Sequence, residues 1–206
     1  MQITVSRAGR QTGAQSSLEN AGKSEIWGSE LELVAIPLRG LEVSLNYGLT
    51  LPTFKEYLEQ SYDPITGQPI LDKSGKPVLV NVAKQRVFLF IPDHTLSVGL
   101  TYTAPPTSSG TFSAHVDTYW QSSFALDPVV PVSFDQGSYA VVNGRMQFVG
   151  IPLQKGSLDI AAFALNLFDR WYRGHGFDLG SLGWKGSVYG PPRTFGVELS
   201  YNLNAS

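Results

Sequence analysis

The chain has few side chains that could do chemistry, and their arrangement predicts neither catalysis nor a metal site. Its three histidines are His94, His115 and His175, and it has no cysteine. Without cysteine there is no thiol nucleophile, thiolate metal site or disulfide framework. Asp63 stands in "YDPITGQPILDKSGKP", which lacks the acidic ligands of an EF-hand. We therefore expect no enzyme, no cofactor and no bound metal.

The remaining polar and aromatic candidates are better explained as loop or strand residues. His115 stands beside Asp117 in an alternating strand pattern, which predicts a hydrogen-bonded network. "GHGFDLG" around His175 is not a phosphate-binding loop, because no strand–turn–helix pattern surrounds it. If the chain contacts a ligand, the contacts are expected on four loop residues: Tyr62, His175, Trp184 and Tyr189.

The bulk composition favours an all-β protein that meets lipid. The net charge is −2 and the basic residues are scattered, which excludes a nucleic-acid-binding surface. Charged residues make up only 16 % of the chain, against about 25 % in typical soluble domains. Aromatic residues reach 12 % and glycine counts 21. No run approaches the roughly 18 apolar residues of a membrane helix, and "MQITVSRAGR" is not a signal peptide.

Apolar residues alternate with small or polar residues along most of the chain. "RTFGVELSYNL", "LEVSLNYGLT" and "HTLSVGLTYT" each place every second apolar side chain on one face. This period of two is the signal of a β-strand with one apolar and one polar face. It predicts eight strands, near residues 2–6, 23–36, 41–50, 94–104, 111–121, 138–149, 157–168 and 193–203.

The connections between these strands alternate in length. Short turns such as "PLRG", "APPTSSG" and "GIPLQKG" follow every second strand. The other connections are long, at residues 7–22, 51–93, 122–137 and 169–192. Short turns on one side and long loops on the other are typical of an outer-membrane barrel.

The charges of the predicted strands fall on the polar face, where a membrane barrel needs them. Six charged residues obey this rule: Glu30, Glu32, Glu42, Asp117, Arg145 and Glu198. Aromatic residues near strand ends match the girdles at membrane interfaces. The strand near 157–168 does not fit, because Asp159 shares a face with Phe163 while Asn166 shares one with Leu158. A bulge could switch the parity there, but the sequence does not show one.

Three motifs resemble those of TonB-dependent outer-membrane receptors. "NAGKSEIWGSELEL" resembles a stretch early in the family's terminal strands, through Asn20, Gly22, Gly28, Glu30 and Glu32. "NLFDRWY" is similar to a second motif, through Asn166, Asp169 and Tyr172. "YGPPRTFGVELSY" resembles the family's last strand, through Pro192, Arg193, Gly196 and Glu198. The three come in the family's order and span almost the whole chain.

The resemblance implies an antiparallel transmembrane β-barrel in which these strands are about eight of 22. Residues 1–206 would be the C-terminal segment of the barrel, without the plug domain. The expected parent activity is energised uptake of a siderophore, a cobalamin or an oligosaccharide across the outer membrane of a Gram-negative bacterium. The expected partners are membrane lipid, the barrel-assembly machinery and, only through the plug, the TonB complex. Leu203 stands where the family usually has a terminal aromatic residue, and the segment alone is not expected to transport.

Two other interpretations of the same pattern stay open. One is a self-contained eight-stranded outer-membrane barrel with a structural or adhesive role. The other is a soluble β-barrel that binds a small apolar ligand inside, which would put the charged face outside. Small residues such as Ser44, Gly48 and Gly99 on the polar face weigh against closure at eight strands, where bulky lumen groups are needed.

Overall fold

The computed structural model describes residues 2–9, 13–20, 22–129, 134–179 and 183–203, and within them the chain is almost entirely β-structure. The long strands are β3 (Lys23–Leu38), β4 (Leu41–Glu56), β7 (His94–Thr103), β8 (Thr111–Gln121), β11 (Tyr139–Leu153), β12 (Gly156–Leu165) and β15 (Thr194–Leu203). The others are β1 (Gln2–Gly9), β2 (Gly13–Asn20), β5 (Leu58–Gln60), β6 (Leu79–Asn81), β9 (Phe124–Ala125), β10 (Asp135–Gln136), β13 (Arg173–Leu179) and β14 (Trp184–Tyr189), with one turn of 3-10 helix at Ala83–Gln85.

The seven long strands form one antiparallel sheet in the order β3–β4–β7–β8–β11–β12–β15. Each strand pairs with the next long strand along the chain, as expected of a barrel wall. Seven of the eight predicted strands therefore lie in this sheet. The strand predicted near residues 2–6 also exists, but it pairs with β2 in a separate hairpin, where the sequence pattern suggested a long loop.

The pairing register aligns the apolar residues of all seven strands on one face. Val116 on β8, for example, faces Leu100 on one side and Gly144 on the other. Across the sheet one row runs Ala35, Val43, Leu100, Val116, Gly144, Ala164 and Phe195. The six charges predicted for the polar face all lie on the opposite side. We call the two sides the outer (apolar) face and the inner (polar) face.

The outer face is large, apolar and uncovered. Val197 is 71 % exposed and Leu199 is 70 % exposed, and Leu31, Met146 and Phe195 are exposed beside them. Along β8 it runs from Phe112 to Trp120, about 27 Å of strand at 3.4 Å per residue. A tilt of about 40° reduces that height to roughly 20 Å, close to the apolar band of a membrane barrel. A soluble protein would bury such a face, and an uncovered apolar face of this size marks an interaction surface.

The parity of the strand near 157–168 is settled by its pairing. β12 runs without a bulge from Gly156 to Leu165, and it sets Asp159 opposite Ser200 on the inner face. Phe163 lies on that face too and fills the space over Gly196, where an added Cβ would stand 2.3 Å from its ring. The irregularity is in β11, between Phe148 and Ile151, and the Gly150 amide there donates to the Asp159 carboxylate at 2.7 Å.

Three long connections leave the same end of the sheet, which we call the loop end. They join β4 to β7, β8 to β11 and β12 to β15. The predicted bounds of these loops were partly wrong: β4 continues to Glu56, and three short hairpins lie within the connections. Within the described residues, no helix has the length and apolar character needed to cross a membrane.

The two faces predict responses of different size to an added charge. Val116→Lys places an amine in the middle of the outer face, and we expect it to destabilise the sheet in a bilayer by about 2–4 kcal/mol. Ser97→Lys, on the inner face, is expected to change stability by less than about 1 kcal/mol. Urea unfolding in phospholipid vesicles measures both, and equal effects would contradict the assignment of the faces.

Candidate ligand-binding face and loop cluster

The inner face is lined by polar side chains that bond one another along and across the strands. Arg145 donates to Glu198 at 2.6 Å and bridges β11 to β15 over the intervening β12. Tyr119 donates to Gln121 at 2.9 Å. His115, expected from its neighbours to join a polar network, lies 2.8 Å from the Thr101 hydroxyl through its Nδ1 atom. This face can hold water and polar groups.

Asn166 clamps the start of the connection from β12 to β15. It is only 4 % exposed, and its Nδ2 group donates to the carbonyls of Arg170 and Pro191, both at 3.0 Å. Its Oδ1 atom accepts from the Arg170 amide at 2.8 Å, and its own amide donates to Asn143 Oδ1 at 3.0 Å. The two ends of the 166–193 loop are thus tied together at the sheet by one side chain.

Four more residues of the second and third sequence motifs lie around this clamp. The Asp169 carboxylate accepts from the Arg193 amide at 3.1 Å. Asn166 and Asp169 have φ angles of 48° and 52°, a left-handed region that asparagine and aspartate tolerate better than most residues. Tyr172 lies against Gly190, where an added Cβ would stand 2.0 Å from the ring. Pro192 and Arg193 directly precede β15, at the entry to the last strand.

Almost all the buried apolar residues lie at the loop end. One cluster consists of Phe124, Leu126, Phe134 and Tyr139, with Val141 and Tyr172 packed against it. The Tyr139 and Tyr172 rings stack at 4.3 Å. The Arg173 guanidinium lies 5.5 Å from the Phe134 ring and 5.9 Å from the Tyr189 ring, a cation–π arrangement. The loops therefore have a small core of their own.

Phe90 joins the three long connections. Its ring lies 4.8 Å from that of His175, in parallel stacking, and 6.1 Å from that of Phe124. Its amide donates to the Ala125 carbonyl at 3.1 Å. Phe90 has a φ of 59°, which is unfavourable for a bulky residue and persists only where surrounding contacts hold it.

A cavity of about 420 Å³ lies beside the part of β4 that extends beyond its pairing with β7. Phe54, Phe88 and Phe124 line it with Val87 and Ile91, and Phe54 and Phe88 stack at 4.0 Å. Its polar lining includes Lys84, Arg86, Asp93 and Ser123. Arg86 is already bound by Glu59, with nitrogen–oxygen distances of 2.7 to 3.0 Å. An apolar cavity with a few polar groups is what a small-molecule site requires.

In the first long connection β5 pairs with β6, and the segment between them has two turns. An aspartate side chain closes each turn. Asp63 accepts from the amides of Ile65 and Thr66 at 2.9 and 2.8 Å. Asp72 accepts from the Ser74 amide and hydroxyl and from the Lys76 amide, at 2.7 to 2.9 Å. These donors hold the pKa of both carboxyls below the usual range, chiefly through the Thr66 amide for Asp63 and the Ser74 hydroxyl for Asp72.

The four expected ligand contacts do not converge on one point. Tyr62 is exposed on the hairpin that Asp63 closes. Trp184 is at the turn end of the β13–β14 hairpin, edge-on to Phe177, and Tyr189 is at its base against Trp171. His175 stacks on Phe90, whose ring lies 6.1 Å from that of Phe124, but neither His175 nor Phe90 lines the cavity. The cavity residues Phe54 and Phe88 were missed because sequence gives no distance between a strand end and a later loop.

The residues of the first motif lie along β3 or just before it. Gly22 has a φ of 81°, and an added Cβ would stand 2.6 Å from the Glu56 carbonyl. A Cβ on Gly28 would likewise meet the Leu49 carbonyl at 2.6 Å. Glu30 and Glu32 point to the inner face, opposite Gly48 and Asn46, and Asn20 ends β2. Across the described ranges, no group of three or more histidines and carboxylates is placed to hold a metal ion.

The clamp predicts a large local effect for Asn166. We expect Asn166→Ala to favour opening of the 166–193 loop by roughly 3 kcal/mol, because the three bonds of the buried Asn166 side chain are lost and alanine is strained at positive φ. Asn166→Gly should recover about 1 kcal/mol of this, since glycine carries no such strain. Tryptic cleavage after Arg170 and Arg173 measures the opening. Leu167→Ala is the control, and cleavage of Asn166→Ala at the control's rate would refute the clamp.

The two turn aspartates predict acid sensitivity of the 58–81 hairpin. Because their pKa values are lowered in the folded protein, their stabilisation is complete above about pH 3.9, the ordinary value. It is lost as the pH falls through the depressed values. The amide shifts of Ile65, Thr66 and Ser74 between pH 6 and pH 2 report this by NMR. In Asp63→Asn only Ser74 should still titrate, and a midpoint above the ordinary value would contradict the bonding described.

Comparison with known proteins agrees with this architecture. The model of the family described as TonB dependent receptor-like, beta-barrel, matches residues 1–167. No curated protein matches the sequence.

Two solved structures have similar folds. One is the ferric yersiniabactin uptake receptor FyuA from Yersinia pestis, with a TM-score of 0.62 and 21 % identity over 89 % of this chain and 24 % of the receptor. The other is the siderophore receptor PiuA from Acinetobacter baumannii, with a TM-score of 0.58 and 16 % identity over 91 % of this chain and 23 % of the receptor. The chain thus spans about a quarter of the length of each. With a family match over most of its residues and a sheet of the same fold, the chain belongs to the TonB-dependent receptor β-barrel family.

Proposed function

We propose that this chain forms part of the wall and the outward loops of an outer-membrane receptor that takes up a ferric siderophore. FyuA is a ferric yersiniabactin uptake receptor and PiuA is a siderophore receptor, which favours a ferric siderophore over a cobalamin or an oligosaccharide. In this proposal residues 1–206 are the C-terminal portion of the barrel in a Gram-negative outer membrane. A plug domain from another part of the receptor couples it to TonB, and the barrel-assembly machinery inserts it.

The observation that carries the proposal is the two-sidedness of the sheet. One face is apolar in every strand and uncovered, while the other carries the ion pair of Arg145 with Glu198 and the polar groups around His115. A wall between lipid and a wet passage needs this division. The loops at one end then stand where a ligand would first be met, and their aromatic cavity is a capture surface.

The self-contained eight-stranded barrel is the weaker alternative. β3 and β15 lie at opposite edges of the seven-stranded sheet and do not pair with each other, so the described strands leave two open edges. Such edges invite further strands. A soluble barrel would keep the apolar residues inside, yet Val197 and Leu199 are largely exposed while Ala161, on the inner face, is buried.

Ligand binding at the loop cavity is the direct test. The chain, folded in detergent micelles, is titrated with a ferric hydroxamate, a ferric catecholate, cyanocobalamin and maltohexaose, and tryptophan fluorescence is followed. We expect saturable quenching by a ferric siderophore, because an aromatic cavity with Lys84 at its edge suits an anionic complex with flat groups. Phe88→Ala should weaken binding about tenfold, the effect of roughly 1.4 kcal/mol of lost contact.

Phe168→Ala is the matched control, since this ring is 74 % exposed at the loop root and does not line the cavity. Saturable quenching by cyanocobalamin or maltohexaose alone would replace the siderophore in the proposal. Quenching that Phe88→Ala leaves unchanged would remove the cavity from it.

A further inference from the structure

We propose that Asp117, on the inner face of the wall, is a positioning residue for the 166–193 loop. It acts through Asn143, which stands between the carboxylate and the first amide of the loop. Asn143 Nδ2 donates to Asp117 Oδ2 at 2.7 Å. Asn143 Oδ1 accepts from the Asn166 amide at 3.0 Å. Three residues on two strands and a loop thus form one hydrogen-bonded chain.

The hydrogen-bonding chemistry of these three residues fixes the orientation of the Asn143 side-chain amide. An ionised carboxylate only accepts hydrogen bonds, so Asp117 forces the NH₂ group of Asn143 to point toward it. The carbonyl oxygen of the same amide must then point away, toward the loop. If the amide turned over, its NH₂ group would face the Asn166 N–H, and two donors would meet. The charge on Asp117 therefore selects the one orientation of Asn143 that accepts from the loop.

Asp117, the first of the three hydrogen-bonded residues, is open to the interior of the wall. The Asp117 side chain is 40 % exposed, and its other contact is His115, whose Nε2 atom lies 3.4 Å from Oδ1. Asn166, by contrast, is almost fully buried and holds both ends of the loop. A cationic group presented from the barrel interior to Asp117 would compete with Asn143 for the carboxylate. The occupancy of the inner face is in this way linked to the hold on the outer loop, whatever ligand the receptor takes.

Hydrogen exchange at single amides tests the linkage on the full chain in detergent micelles. Asp117→Asn removes the charge and permits the wrong orientation of Asn143. We expect the Asn166 amide to exchange about tenfold faster, while amides in the middle of β4 and β7 keep their rates. Asp159→Asn is the matched control, being the same change on the same face at the opposite end of the sheet, and it should leave the Asn166 amide within twofold.

A double-mutant cycle separates positioning from general destabilisation. In an Asn143→Ala background, Asp117→Asn should have no further effect on the Asn166 amide, because the connecting side chain is gone. An additive effect in that background, or an unchanged rate in Asp117→Asn alone, would overturn the proposal. If Asp117→Asn does not fold, His115→Lys presents a cation to the carboxylate and, by the competition described above, should accelerate Asn166 exchange two- to threefold, with no acceleration again counting against the proposal.

Discussion

The register of the backbone hydrogen bonds is the constraint on which the rest of the structure depends. Side chains alternate across a strand, so a shift of one residue in any pairing would move a whole apolar set to the other face. Here every pairing keeps the apolar rows aligned, from Ala35 on β3 to Phe195 on β15. The irregularity in β11 between Phe148 and Ile151 lies near the short turn to β12, so most of these apolar rows lie outside it. The apolar outer face and the polar inner face both follow from this register.

Because the apolar face of the sheet is uncovered, the buried apolar contacts of this protein lie mainly between its loops. The cluster around Phe124 and Tyr139 joins the second and third long connections, and Phe90 brings in the first. Because each connection begins and ends on the sheet, packing them together fixes the rim of the wall. The left-handed backbone at Phe90 is tolerated because three connections meet around its ring.

Sequence alone could predict the strands and their faces, because a period of two needs only neighbouring residues. It could also mark Asn166, Asp169 and Tyr172 as family residues, but not their shared role in tying the loop ends together. The parity around Asp159 stayed undecided since it depends on Phe163 lying over Gly196, a contact between strands. The cavity between Phe54 and Phe88 was beyond prediction for the same reason, since the two residues are 34 positions apart in the sequence.

The clamp at Asn166 makes the 166–193 loop separable from the wall. Its bonds to Arg170 and Pro191 close the loop at its base, so changes beyond that closure are separated from β12 and β15, while Tyr172 and His175 still pack the loop against the other connections. Insertions are tolerated best at exposed loop positions away from such packing. A sheet built this way can exchange one loop for another while the pairing of its strands stays the same.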